Sequence, residues 1–322
     1  MRRQKRQISI PALRAQSSLV GSDAVQALIT QASESKGTAK PPQVIFKALK
    51  KKTGVKSLSF EYKRKAGIDA NTQFDIDLVS HPMRVDCKAG MLMMDSMDGS
   101  DEAAAEDIAK FVKEQQTAKG KFPGPVPVVW RKDMQTIEDV ALAKAIGCSG
   151  VTLVADQLDD QQMAQLVQAC HALKMEVLAE VTDKEQIERA LAAGAQCLNV
   201  RFSSEAVASF LTFATKALEP DLVKATSTAN VACVATVAAR QGGDELSQAQ
   251  AILALKGFHG VLFSGAVFDA SQKDNIPYLR YLTDVLTNKR STKIVINEKK
   301  ATDGGYNRGA VQGWGDDSTT HV

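Results

Sequence analysis

An eight-stranded parallel α/β barrel, preceded by a polar extension and followed by a long tail, is the fold this sequence predicts. Three observations predict it. From Ser57 onward, short apolar runs alternate with amphipathic helical stretches, and eight such units fill about 230 residues, the usual extent of a closed (β/α)8, or TIM, barrel. A pattern of helix, glycine, strand recurs at Gly147, Gly194 and Gly257, as parallel strands joined by right-handed crossovers require. No G-x-G-x-x-G follows the first strand, which ranks a doubly wound open sheet second.

The elements follow in order. Residues 1–56 form a basic and polar extension with short helical patterns at 23–32 and 43–51. Residues 57–290 form the barrel, with strands expected at 57–61, 90–94, 126–130, 150–155, 176–180, 196–200, 231–235 and 260–263. Thr136-Ile-Glu-Asp139 opens a helix that stops at Gly147, and Asp183-Lys-Glu-Gln186 reads as a capping box before a helix closed by Gly194. Met163, Leu166, Val167, Cys170 and Leu173 make a core stripe at helical spacing. A last helix at 276–287 precedes the tail 291–322, which sets Tyr306 and Trp314 among glycines.

Composition narrows the function classes. A net charge of +3 is too balanced to imply nucleic acid, and no apolar run is long enough for a membrane span. Five cysteines without a C-x-x-C pair read as reduced, buried thiols in a reducing compartment. Arg2, Arg3, Lys5, Arg6 and Arg14 precede the first acid, Asp23. Such a segment resembles an organelle transit peptide, for a plastid or mitochondrion; a basic tail on a cytoplasmic protein is the alternative. Aromatics among glycines serve as anchors, so 1–56 and 291–322 are expected to contact a protein partner. The four histidines are scattered without ligand spacing, so no metal is expected, and His171 and His259 read as surface residues.

Chemistry in such a barrel gathers at the C-terminal strand ends. Glu61 and Lys63, two residues apart, leave one face of the first strand. Asp95 ends the second strand, Arg131, Lys132 and Asp133 the third, and Glu180 the fifth. Two carboxylates and two ammonium groups, Glu61, Glu180, Lys63 and Lys132, are expected to converge on one mouth. There they would shift each other's pKa as acid–base pairs do and receive an anionic small molecule. A salt-bridge network capping the barrel is the competing reading of the same residues.

These residues resemble the indole-3-glycerol-phosphate synthase family. The resemblance rests on Glu61-Tyr-Lys63-Arg-Lys65, Met97-Asp-Gly-Ser100, Val126-Pro-Val-Val-Trp-Arg-Lys132-Asp133, and Met175-Glu-Val-Leu-Ala-Glu180-Val-Thr-Asp183 followed by Ala190-Leu-Ala-Ala-Gly-Ala195. It implies ring closure of carboxyphenylamino-deoxyribulose phosphate with loss of carbon dioxide and water, without metal or redox cofactor. By the same resemblance Lys132 is the general acid and Glu180 the base or the carboxylate of dehydration. Lys63 binds the substrate carboxylate or relays protons, and Glu61 orients the lysines.

Departures from the family lie on the phosphate side. The family's serine-proline-serine run reads Ala66-Gly-Ile68 here, and its glutamate-serine-glycine at strand seven reads Thr236-Val237-Ala238. Its eighth-strand glycine falls on Ser264, with Gly265 one place later. Its sixth-strand asparagine and arginine fall either on Arg201 and Ser203 or, with a shorter strand, on Asn199 and Arg201. Arg201, Ser264 and Gly265 are the candidates left to bind substrate. The expectation is a divergent barrel with lost or altered synthase activity, acting as a structural or accessory subunit through its termini. An active synthase of tryptophan biosynthesis is the alternative, and a barrel acting on a non-phosphorylated anion is a third reading.

Overall fold

The computed structural model describes residues 22–35, 40–51, 55–63, 77–97, 101–201, 216–237, 245–265 and 275–287. Both chain ends (1–21 and 288–322), the 64–76 segment with Ala66 and Ile68, Asp98 to Ser100, Ser203, Ala238 and Arg240 lie outside the described residues.

Eight parallel strands close into a barrel in sequence order, β8 pairing with β1. They are β1 Ser57–Lys63, β2 Leu92–Asp95, β3 Val128–Arg131, β4 Gly150–Val154, β5 Glu176–Val181, β6 Cys197–Val200, β7 Ala232–Val237 and β8 Gly260–Phe263. The expected barrel therefore forms, with shifted ends. β1 runs two residues further and takes Lys63 into the sheet. β3 starts two residues late, after Pro127, which has no N–H for the ladder.

The helices among the described residues are α1 Ser22–Glu34, α2 Val44–Leu49, α3 Asp77–Val85, α4 Asp101–Thr117, α5 Ile137–Ile146, α6 Asp160–Ala172, α7 Lys184–Ala192, α8 Glu219–Thr228, α9 Glu245–Ala254 and α10 Asn275–Thr287. α1 lies against α5 and α6, and its Gln31 side chain donates to the Ala172 carbonyl at 3.1 Å. Thr136 and Asp139 cap α5 reciprocally, as expected. At α7 the expected box is rearranged: Asp183 accepts from the Gln186 N–H, but Gln186 Oε1 reaches Thr182.

Strand alternation sorts the apolar residues into two cores. Leu58, Phe60, Trp130, Val151, Leu153, Val177 and Cys233 pack outward under the helices. Met93, Val129, Leu178, Cys197, Ala232, Val234 and Leu262 fill the barrel with Ile45, Phe46 and Leu49 of α2. The short α2 is thus a plug at the strand-entry end. Its N-terminal N–H groups are satisfied from inside the barrel: Ile45 and Phe46 donate to the two carboxylate oxygens of Glu176, each at 2.8 Å. Gly150 makes room, since a Cβ there would sit 2.2 Å from the Glu176 carbonyl and 2.6 Å from the Ile45 side chain.

All five cysteines are free and buried, and burial pushes the Cys87 and Cys148 thiols up to about 12. His259 is not the surface histidine expected. Its Nδ1 accepts from the Cys233 N–H at 3.1 Å, and burial, with the charges of Lys50 and Lys56, lowers its pKa to about 4. Among the described residues no helix is long and apolar enough to cross a membrane.

Candidate active site at the barrel mouth

The interior parity of the strands carries polar residues into the mouth above the apolar layer. β1 presents Glu61 and Lys63, β2 Asp95, β3 Arg131, β5 Glu180, β6 Asn199 and Arg201 just past its end, β7 Thr236, and β8 Ser264 just past its end. Asn199 and Arg201 both face the mouth, while Ser203, the member of the other register, lies outside the described residues.

Two guanidinium groups organise the cluster. Arg131 binds Glu180 through two bonds, Nε to Oε2 at 2.8 Å and Nη2 to Oε1 at 2.7 Å, and its Nη1 donates to Asp95 Oδ1 at 3.1 Å. Arg201 grips Glu61 through both terminal nitrogens and lies 3.9 Å from Asp95 and 3.8 Å from Glu180. The backbone N–H of Gly265 donates to Glu61 Oε1 at 2.9 Å. Lys63 stands at the rim, its side chain 38% exposed and its ammonium 4.0 Å from Asp95.

These contacts set the charge states. Burial alone would raise the Glu61 carboxyl, but Arg201, Arg131 and the Gly265 N–H outweigh it and hold the group below its ordinary value. Asp95 goes the other way. Burial and the negative charge of Glu61 raise it, and Arg131, the Met97 N–H and Arg201 offset this only in part. Burial works against the Arg131 charge, yet Glu180, Asp95 and Glu61 overcome it and keep that guanidinium firmly protonated. Asp95 is thus held above the ordinary carboxylate value, while Arg131 and Arg201 stay protonated.

Lys132 departs from the expected convergence. It follows Arg131 by one residue and takes the opposite parity. Its ammonium lies 5.2 Å from the Trp130 ring and donates to Asp139 Oδ1 of α5 at 2.7 Å, with both side chains buried. The structure brings together Glu61, Lys63, Glu180 and Arg201, adds Asp95 and Arg131, and turns Lys132 behind the strand. Gly265 is present at the mouth, but its N–H is taken by Glu61, and a Cβ there would lie 2.6 Å from the Lys63 Cβ.

Three polar side chains line the other half. Thr236 Oγ1 donates to Asn199 Oδ1 at 3.0 Å, while the Asn199 Nδ2 and Ser264 Oγ atoms are buried without a hydrogen-bond partner among the described residues. Sequence reasoning missed Asp139 as the partner of Lys132, although its place in the α5 capping box was legible. It also missed Glu176, whose only signal was an acid opening a buried strand. Among the described residues no group of three or more His, Cys, Asp or Glu side chains is placed to hold a metal ion.

Comparison with known proteins agrees with part of this picture. The indole-3-glycerol phosphate synthase family matches residues 123–202, from the loop before β3 to the mouth end of β6. The synthase of Roseiflexus sp. (strain RS-1) is 33% identical over 82 residues, 26% of this chain and 30% of that protein. The synthase of Leptothrix cholodnii is 44% identical over 64 residues, 20% of this chain and 24% of that protein. The tryptophan biosynthesis protein TrpCF of Vibrio parahaemolyticus is 30% identical over 105 residues, 33% of this chain and 22% of that protein. The matched stretches thus span less than a third of these relatives' length. Among solved structures, a 4-hydroxy-2-oxoglutarate aldolase/2-deydro-3-deoxyphosphogluconate aldolase from TTHB1 superposes with a TM-score of 0.50 at 14% identity, covering 73% of this chain and 96% of that one. That likeness concerns the barrel fold alone. The family match includes Arg131, Lys132, Glu180, Asn199 and Arg201, and stops short of β1, β2, β7 and β8.

Proposed function

We propose that this divergent relative of the indole-3-glycerol phosphate synthases has kept the family's barrel and given up its ring-closing reaction, serving as a non-catalytic accessory barrel. One observation carries the reading: the groups that resemblance assigns to catalysis are bound to one another or to the scaffold. Glu180, the base by resemblance, is held by two bonds from a guanidinium that does not release protons. Lys132, the acid by resemblance, is committed to a buried carboxylate on α5 that also caps that helix. Swinging Lys132 into the mouth would leave Asp139 buried and unpaired, a penalty of about 3–5 kcal/mol.

The phosphate side supports the same reading. The Gly265 N–H is occupied by the Glu61 carboxylate, so a phosphate arriving there meets a negative charge where the family's glycine offers open backbone. Thr236 replaces a family carboxylate with a hydroxyl that is already engaged with Asn199.

The test is direct. Full-length protein mixed with carboxyphenylamino-deoxyribulose phosphate should form no indole-3-glycerol phosphate, and titration calorimetry should register no binding of the reduced analogue. Turnover that disappears in Lys132→Ala would sink the proposal. The arginine-rich N-terminus adds that the protein works in an organelle, which imaging of a fluorescent fusion with and without residues 1–21 would decide.

A second reading, an active synthase in tryptophan biosynthesis, draws on the unpartnered Asn199 Nδ2 and Ser264 Oγ and on the rim ammonium of Lys63. These are donors that a polyanionic substrate would use. It requires the substrate to displace Arg131 from Glu180 and to recruit Lys132.

A further inference from the structure

The end of the barrel opposite the mouth is built from the loops that enter the strands, together with the α2 plug. Lysines outnumber acids there. Lys88 precedes β2, Lys119 and Lys121 precede β3, Lys174 precedes β5 and Lys256 precedes β8, while Lys47 projects from α2; all six are exposed. Half-buried Lys50, Lys51 and Lys56 add to the same field. The entering loops contribute one acid, Asp86, with Glu34, Glu219 and Asp284 on adjoining helices. None of these lysines forms an ion pair within 4.0 Å among the described residues. The whole chain carries only +3, so this end is a local concentration of charge rather than a reflection of composition.

Apolar side chains stand within that field. Phe122 is 100% exposed, at the tip of the loop between α4 and β3, with Lys121 before it and Pro123 after it. Val44 and Val55, 47% and 44% exposed, project from the same end.

We propose that this strand-entry end docks on an anionic lipid bilayer, with Phe122 entering the headgroup region and the lysines meeting lipid phosphates. Three features favour a bilayer over an acidic protein. The cations of the entering loops and of α2 are all lysine, compact charges on flexible stems that follow mobile headgroups, whereas carboxylates on a protein surface are better met by the arginine fork. Lysine is depleted from protein interfaces, which also need a contiguous apolar centre that the described residues of this end do not supply. An aromatic at a loop tip beside basic residues suits the interface, where apolar insertion and attraction to acidic lipids add. The inference goes beyond the mouth's chemistry and does not depend on whether synthase activity survives.

The experiment is cosedimentation of the full-length chain with vesicles at about 0.1 M salt, comparing pure phosphatidylcholine with about 30% phosphatidylserine. Binding to the acidic vesicles alone is expected. Lys119→Glu with Lys121→Glu should weaken it by at least about tenfold, and Phe122→Asp should weaken it again. Phe122→Trp should show blue-shifted emission on the vesicles. These positions are exposed, so thermal unfolding should match the parent. Equal binding to both vesicles, or none, overturns the proposal. Acidic-vesicle binding untouched by these substitutions belongs to the arginine-rich N-terminus and also overturns it. Binding that poly-glutamate or duplex DNA abolishes, and that Phe122→Asp leaves intact, assigns the face to an acidic macromolecule instead.

Discussion

Arg131 binds Glu180 through two parallel bonds of 2.8 and 2.7 Å, across the mouth from β3 to β5. The pair is almost dry, with side chains 9% and 6% exposed. It joins the residue most suited to hold a carboxylate to the carboxylate most suited, by resemblance, to catalysis.

Removing one partner should therefore be far worse than removing both. Arg131→Leu strips Glu180 and Asp95 of their hydrogen-bonded cation, leaving only Arg201 at 3.8 and 3.9 Å, and should destabilise the protein by about 3–5 kcal/mol. Arg131→Leu with Glu180→Leu should recover much of that loss. Urea unfolding of the two variants and the parent checks the order. A double variant no more stable than the single one would mean that the network around Asp95 and Arg201, not the pair, holds the mouth.

Lys132→Ala should lower stability and leave the mouth unchanged. The substitution strands Asp139, which accepts from the Gln135 and Thr136 N–H groups as well as from Lys132. A thermal midpoint several degrees lower is expected, because about 1 kcal/mol already shifts a chain of this size by about 2–4 °C. Affinity of any anion that calorimetry finds in the mouth should stay within twofold of the parent, about 0.4 kcal/mol.

Glu176 gives the α2 plug a pH dependence of defined sign. Burial raises its pKa above 4.5, and the Phe46 and Ile45 N–H groups offset this only in part. A folded-state value above the unfolded one means that folding takes up a proton. This group's contribution is thus greatest at and below pH 4.5, falls as pH rises through its folded value, and is level beyond. Glu176→Gln should remove that fall, so the stability difference between parent and variant should change between pH 4.5 and 7. Denaturant midpoints at the two pH values measure it.

His259 acts in the opposite sense. Its pKa is lowered from 6.5 to about 4, so between those values the unfolded chain binds the proton and the folded chain does not. Its contribution is full above pH 6.5 and is lost as pH falls toward 4. His259→Gln keeps an acceptor for the Cys233 N–H and should flatten this limb of the thermal-midpoint profile. An unchanged slope would place the acid sensitivity elsewhere.

Much of the barrel was legible in the sequence. Strand-length apolar runs, helical stripes such as Met163 to Leu173, and the glycines after helices are local signals, and all eight strands lie within a few residues of where periodicity puts them. The ends moved where one residue overrode the pattern, as Pro127 did at β3. Helix α2 was legible as a helix but not as a plug, because its partner Glu176 is 131 residues away along the chain.

The site divides the same way. Residue types and their order along the chain, Glu61, Lys63, Lys132 and Glu180 at successive strand ends, were set by the sequence alone, and with them the resemblance to a synthase. Which of those groups face one another was decided only by the closed sheet. In a pleated strand neighbouring residues point to opposite sides, so of Arg131 and Lys132 one enters the mouth and the other meets α5. Closure of the barrel then carried Arg131 to Glu180, 49 residues away, and Arg201 to Glu61, 140 residues away. A linear motif does not encode side-chain parity or long-range pairing, and those two properties decide which of these charged groups meet.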